Sequence, residues 1–346
     1  MTWIRNNGIY AFFSRAALPS LALLLLFSLV ASFSLGRYGL PVSSLGRALW
    51  EGVTGATSGD SIAQTVLFEI RLPRILAAVL TGGSMALAGA SYQGMFKNPM
   101  VSPDILGASA GAGFGAALAI LLSRTAAEIQ IYAFLCGLGA VVLTMTIARS
   151  ISRSESMTLV LVLTGMVVST LFSSLISITK FVADPDNKLP AITFWLMGGL
   201  ASVGKHDALL LLALSAAASL PLFLIRWKLN VLAFGDEEAR ALGIDVPHLR
   251  LLVILASTLL TAASVSLCGM VGWIGLVIPH MARLLVGPNF KTLLPASALL
   301  GATFLLWVDN AARCVFPVEI PLGILTSLVG APFFLYLLMK GKKGWT

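Results

Sequence analysis

The chain is predicted to be an all-α membrane protein with about ten transmembrane helices per subunit, and three observations predict this. It is 58% hydrophobic and only 11% charged, whereas a soluble domain is nearer a quarter charged and just under half apolar. Its mean hydropathy is +0.93, so too few polar side chains remain to cover a water-facing surface. Finally, the apolar residues arrive in long runs, and a helix needs about 20 of them to cross roughly 30 Å of hydrocarbon.

Ten such runs follow one another. The first five are Leu18 to Phe33, Ile75 to Phe96, Ile105 to Leu122, Ile129 to Ala148 and Met157 to Ile178. The second five are Ala208 to Ile225, Leu249 to Cys268, Trp273 to Val286, Leu293 to Val308 and Ile320 to Met339. The first run stands behind Arg5 and Arg15 as a signal peptide would, but with nine more spans following it reads as a retained helix. Trp273 to Val286 is short and reads as a broken or re-entrant span. Leu189 to Val203, interrupted by Gly198-Gly199, reads as an extra helix packed at one face. The whole of residues 1–346 reads as a single transmembrane domain.

An even number of spans puts both termini on one side. With the termini inside, 14 of the 23 Lys and Arg residues lie on inner segments and 9 on outer ones, which agrees with the positive-inside tendency. Arg71, Arg74 and Arg313 fall on the outer side, against that tendency. Small residues four apart in the second run (Ala78, Gly82, Ala86, Ala90, Gly94) and Gly107, Gly111 and Gly115 in the third predict close helix contact, because helices in lipid associate through backbone approach and van der Waals packing.

Several functions are not supported. No G-x-x-x-x-G-K-[ST] loop is present to cradle ATP phosphates, and no nucleophile stands beside a base. Cys136, Cys268 and Cys314, with His206, His248 and His280, lack metal-ligand spacing. The net charge of +8 comes without the basic stripe or aromatic platform of a nucleic-acid binder. Few ionisable residues fall mid-span, which weighs against the alternative of a self-sufficient secondary transporter. A non-transporting scaffold or membrane enzyme has no catalytic constellation behind it. Energy for uphill transport would have to enter from another protein.

The place for that contact is the longest inner polar stretch, Arg226 to Arg250, with its coupling segment at about 229–247. Gly235 and Gly243 bracket roughly two helical turns, acidic at the start and basic at Arg240, as a helix dipole favours. Gly235-x-x-x-Ala239-Arg240-x-Leu242-Gly243 resembles the coupling segment of the FecCD-type permeases, the membrane subunits of type II ATP-binding-cassette importers for iron siderophores, haem, vitamin B12 and related solutes. Other blocks match in the same order. They are Arg71-Leu72-Pro73-Arg74, Gln93 through Pro99, Pro103 through Gly107, Gly275 through Pro279 with His280 and Arg283, Asp309-x-x-Ala312-Arg313, Glu319 through Gly323, and Gly330-Ala331-Pro332. Together they span most of residues 60–340.

The resemblance implies ten spans per subunit and a homodimer, or a heterodimer of close paralogues, with the path along its axis. It implies two ATPase subunits carrying the ATP and Mg inside, and a periplasmic or lipid-anchored solute-binding protein outside. This chain would then be no enzyme itself, and would sit in a bacterial or archaeal inner membrane with both termini cytoplasmic. By the same resemblance Arg71, Arg74 and Arg313 dock the binding protein. Gly235, Glu237, Ala239, Arg240, Leu242 and Gly243 couple to the ATPase. Asn98, Pro99 and Met100 form a cytoplasmic gate, with Met100 where a branched apolar residue is common. No cofactor is implied in this chain. Ferric siderophore and haem lead as solutes, with vitamin B12 or a molybdate-type oxyanion behind them.

Overall fold

A computed structural model describes residues 7–36, 61–151, 157–315 and 317–341, and every regular element in them is helical. After α1 (Asn7–Ser34), a short turn of helix (Ser61–Thr65) and a π-helical turn (Val66–Arg71) lead into α2 (Leu72–Met95). A 3-10 turn (Pro103–Leu106) then precedes α3 (Ala108–Leu121), α4 (Ala126–Ile151) and α5 (Met157–Val182). The short α6 (Lys188–Met197) connects to α7 (Lys205–Leu224). Two small helices, α8 (Arg226–Phe234) and α9 (Asp236–Ala241), precede α10 (Val246–Cys268). The chain ends with α11 (Ile274–Val286), α12 (Phe290–Cys314) and α13 (Leu322–Gly341).

Seven helices are long and apolar enough to cross a bilayer, and three shorter apolar helices, α3, α11 and α13, bring the described apolar helices to the ten expected. The third run is corrected at its start. Gly107 adopts a left-handed φ of 89°, so Ile105 and Leu106 belong to the 3-10 turn and α3 has only 14 residues. The extra helix at 189–203 is also shorter than its apolar run: α6 stops at Met197, where Gly198 turns to φ 76°.

Burial separates a core from a periphery. The apolar windows of α2 and α10 are each 78% buried and that of α12 is 61%, against 17% for α1, 22% for α5 and 28% for α7. The first three are the ones that pack most of their surface on protein, and α2 lies against α12, α10 and α11. The small-residue stripe explains how α2 and α12 come so close. A Cβ built on Gly82 would lie 2.2 Å from the carbonyl oxygen of Gly301, and one on Gly301 would lie 2.3 Å from that of Gly82. The G-x-x-x-G of α3 acts similarly against α4, where Cβ atoms on Gly111 and Gly115 would meet the carbonyls of Cys136 and Tyr132 at 2.5 and 2.2 Å. Such approach adds dispersion contacts, the main attraction left between helices in lipid.

Candidate functional site

Because α2 runs from Arg74 to Met95 and α12 returns from Phe290 to Arg313, the bundle has two distinct ends. They are named here by their buried or shared carboxylates, Asp236 and Asp309.

At the Asp236 end, α8 is anchored by Leu229 and Leu232, both fully buried. Asn230 bridges to the start of α12: its Nδ2 donates to Asn289 Oδ1 (2.9 Å), and its Oδ1 accepts from the backbone N–H of Phe290 (2.8 Å). After the extended Gly235, α9 turns Ala239 inward, fully buried, while Glu237, Arg240 and Leu242 are exposed. The end of α9 is a Schellman turn. The N–H of Gly243 donates to Arg240 O (2.9 Å) and that of Ile244 to Ala239 O (2.9 Å). Gly243 sits at φ 76°, and Ile244 packs in the same buried cluster as Ala239. The Ala-Arg-x-Leu-Gly sequence is thus a helix stop with its hydrophobic clasp. It leaves Arg240 and Leu242 exposed. Just beyond, Asp245 caps α10 by accepting from the backbone N–H of His248 (3.1 Å), and this bond holds its carboxyl below the usual range.

The expected gate residues lie beside this element. Lys97 takes a left-handed φ of 52° to end α2, and Asn98 Oδ1 accepts from the N–H of Met100 (2.9 Å), forming a tight turn through Pro99. Met100 is 45% exposed. Three residues the sequence reading did not single out tie the turn to α9 and α10. Asp236 accepts from Lys97 Nζ (3.1 Å) and from Arg250 Nη2 (2.8 Å to Oδ2). Deeper in, Gln93 donates to Leu276 O (3.1 Å) and accepts from Arg283 (3.2 Å), joining α2 to α11.

At the Asp309 end the three expected arginines come together, but inside the protein. Arg71, Arg74 and Arg313 are 3%, 7% and 8% exposed. Arg74 forks onto Asp309 through Nε (2.9 Å) and Nη2 (2.7 Å), and also holds Glu319. Arg313 Nε lies 3.1 Å from the second oxygen of Asp309, which is fully buried, and its Nη2 donates to Ser32 Oγ (3.1 Å). Ser32 in turn donates to Asn310 (2.8 Å), and Arg71 donates to the carbonyl of Phe33. This end therefore knits α1, α2 and α12 into one buried network. Guanidinium groups of all three arginines donate to internal oxygens.

Between the ends, α5 is unusual. Its exposed face carries Thr170, Ser173, Ser174 and Ser177 at helical spacing. The hydroxyls of Thr170, Ser174 and Ser177 donate to carbonyls four residues back, at 2.9, 3.0 and 3.0 Å. Those three hydroxyls can therefore sit on the helix surface with their donors satisfied.

Comparison with known proteins agrees with this layout. The FecCD transport family matches residues 24–340. The molybdate import system permease protein MolB of Haemophilus influenzae is 42% identical over 324 residues, 94% of this chain and 95% of that protein. A probable iron chelatin transport system permease protein of Helicobacter pylori is 41% identical over 275 residues, 80% of this chain and 82% of that protein. A solved structure described as a metal-chelate type ABC transporter in an inward-facing conformation superposes with a TM-score of 0.83 at 39% identity, covering 93% of this chain and 98% of the other. With the family match running nearly end to end and the helices laid out alike, the chain belongs to the FecCD transport family.

Proposed function

We propose that this chain is the membrane-embedded half of a binding-protein-dependent importer, working as a homodimer or a pair of close paralogues with the path between the subunits. The observation that carries the reading is α9. A six-residue helix, locked by its Schellman turn, presents Glu237, Arg240 and Leu242 outward and is ion-paired to the turn that closes α2. A partner that pushes on α9 therefore moves Asn98–Met100. Two ATPase subunits, which hold the ATP and Mg, dock at this Asp236 end, making it cytoplasmic along with both termini in the inner membrane.

The solute-binding protein docks at the Asp309 end. There Arg71, Arg74 and Arg313 form a basic cluster in which Arg74 and Arg313 share Asp309 and Arg74 also holds Glu319. The solute is a metal chelate, a ferric chelate first, handed over by the binding protein and passed along the hydroxylated face of α5. A molybdate-type oxyanion is the second reading, favoured by the 42% identity to a molybdate permease over nearly the whole chain.

The test is reconstitution. The chain is purified with the ATPase and binding protein found beside it, placed in proteoliposomes, and assayed for ATP-dependent uptake of labelled ferric chelate and of molybdate. Uptake of a solute without ATPase or binding protein would overturn the proposal.

A further inference from the structure

A cavity of about 280 Å³ lies at the Asp236 end, between α4, α5, α9 and α10. Its charges are unbalanced. Among the described residues, Arg149, Arg240 and Arg250 line it with a single carboxylate, Asp236, and Lys97 claims that carboxylate too, at 3.1 Å. Arg149 and Arg240 make no hydrogen bond or ion pair with any described residue, and the buried Nε of Arg250 has no acceptor among them. Guanidinium donors left open around a cavity suit a bidentate oxyanion such as phosphate.

The lining is also layered. Met145, Leu161 and Ile254 line the same cavity, each one helical turn deeper into the bundle than Arg149, Met157 and Arg250 respectively. The three arginines thus stand in the shallow part, beside Met157, Val246 and Pro247, and the deep part is apolar. Because α4 and α5 have their ends here, and the apolar window of α4 is only 39% buried, the cavity stands at the depth where lipid headgroups begin. A free anion would use the arginines but gain nothing from the apolar floor. An amphiphile would use both.

The geometry points to a site for the phosphate headgroup of an anionic phospholipid, held by Arg149 and Arg250 with Arg240 at its rim and the first acyl carbons against Met145, Leu161 and Ile254. Basic pockets at helix ends on the cytoplasmic side recognise such lipids elsewhere. A volume near the low end of ligand pockets, roughly 300–1,000 Å³, admits a headgroup and the start of a chain rather than a whole lipid. The leaflet assigned to the site rests on the orientation proposed above, but the ligand class does not. Because Arg240 and Asp236 belong to α9, a bound lipid would brace the element proposed to meet the ATPase.

The test uses the full-length chain in detergent with mixed micelles of phosphatidylglycerol or phosphatidylcholine, reading thermal stability and, by native mass spectrometry, retained lipid. Phosphatidylglycerol should raise the melting temperature and remain bound where phosphatidylcholine does not. Each arginine removed should weaken retention about fivefold, the factor for a charge worth about 1 kcal/mol beside an anionic headgroup. Arg149→Gln is the first variant, since that side chain holds no partner among the described residues. Arg149→Gln/Arg250→Gln is the second, and Leu161→Trp, which fills the apolar floor, should displace lipid without removing charge. Equal effects of the two lipids on the wild type, or full retention in the double arginine variant, would overturn the proposal. An equal shift from inorganic phosphate alone would make it a soluble-anion site instead and overturn the lipid assignment. Co-purification of the ATPase, measured in parallel, reports on the proposed coupling separately from lipid binding.

Discussion

Lys97 Nζ stands 3.1 Å from Asp236 Oδ1, so the turn that closes α2 and the first residue of α9 share one ion pair. Both side chains are partly exposed, 37% and 28%, and such a pair contributes about 0–1 kcal/mol to stability. Its consequence is mechanical rather than thermodynamic. Lys97→Gln and Asp236→Asn should leave the amount of folded permease nearly unchanged while lowering solute uptake per ATP hydrolysed. Uptake and hydrolysis measured on the same proteoliposomes give the ratio, and an unchanged ratio in both single variants removes the link.

Glu237→Lys and Arg240→Glu alter exposed side chains on α9 and leave its buried Ala239 in place. Insertion and stability should be normal, with weaker ATPase association and hydrolysis uncoupled from uptake. Gly243→Ala acts differently. It strains the left-handed position that stops the helix, at a cost of roughly 1 kcal/mol, and should disorder the same surface. Pull-down of the ATPase by each variant checks both statements.

The Asp309 end predicts a split between two substitutions. Arg74→Gln leaves the fully buried Asp309 short of a partner, and breaking a buried pair in this way costs about 3–5 kcal/mol, so folded protein should fall sharply. Glu319→Gln removes a carboxylate that is 31% exposed and frees part of Arg74. The fold should survive it. If a binding protein's acidic groups compete for that guanidinium, the variant should associate faster, with a steeper fall in rate as salt rises. Association rates over a salt series decide this, and identical slopes for wild type and Glu319→Gln would remove these arginines from docking.

Gly82→Val places two methyl groups where a single Cβ would already lie 2.2 Å from Gly301 O. Backbone must move, because no flexible side chain stands there to yield. Overpacking of this kind costs typically about 1–3 kcal/mol or more, and the loss should appear as a lower melting temperature in detergent. Gly139→Ala is the control, since nothing lies within 4 Å of its Cβ position.

On the α5 face, Ser174→Ala and Ser177→Ala remove hydroxyls already bonded to their own helix and should change uptake less than twofold. Ser174→Trp should block it. The face carries no charge to hold a solute, so the isolated permease should bind free solute more weakly than about 1 μM, or about −8 kcal/mol. Equilibrium dialysis with labelled ferric chelate or molybdate measures it.

The spans were readable because a bilayer forces apolar residues into runs of fixed length, and the glycine stripes because backbone approach in lipid has few other signatures. The α9 motif was readable in the same way: Gly243 is required by a left-handed stop that leaves a local trace in sequence. The partners of the arginines were not. Arg74 and Asp309 are 235 residues apart, and nothing in the periodicity of either helix says that they meet. The break at Gly107 was hidden for the opposite reason. Ile105 and Leu106 look like the start of a span, and only the backbone angle of Gly107 reveals that the helix has not begun. The roles of Asp236 and Gln93 likewise depend on which turns the fold sets side by side.

α11 is only 13 residues long, or about 20 Å at 1.5 Å per residue, against roughly 30 Å of hydrocarbon. The rest of its crossing is irregular backbone from Gly269 to Trp273, which lipid would not tolerate bare. The neighbours shield it. Gly199 N donates to Cys268 O (2.8 Å), and Leu322 N donates to Gly198 O (3.0 Å), bringing the ends of α6, α10 and α13 together around this stretch. The order of biogenesis follows from this. While the chain is being threaded into the bilayer, α11 cannot settle on its own hydrophobicity. It must wait for α13, made about 40 residues later, to arrive and seal it. A nascent chain stopped before Leu322 should therefore hold α11 in an accessible, protease-sensitive state, although every longer span before it is already in place.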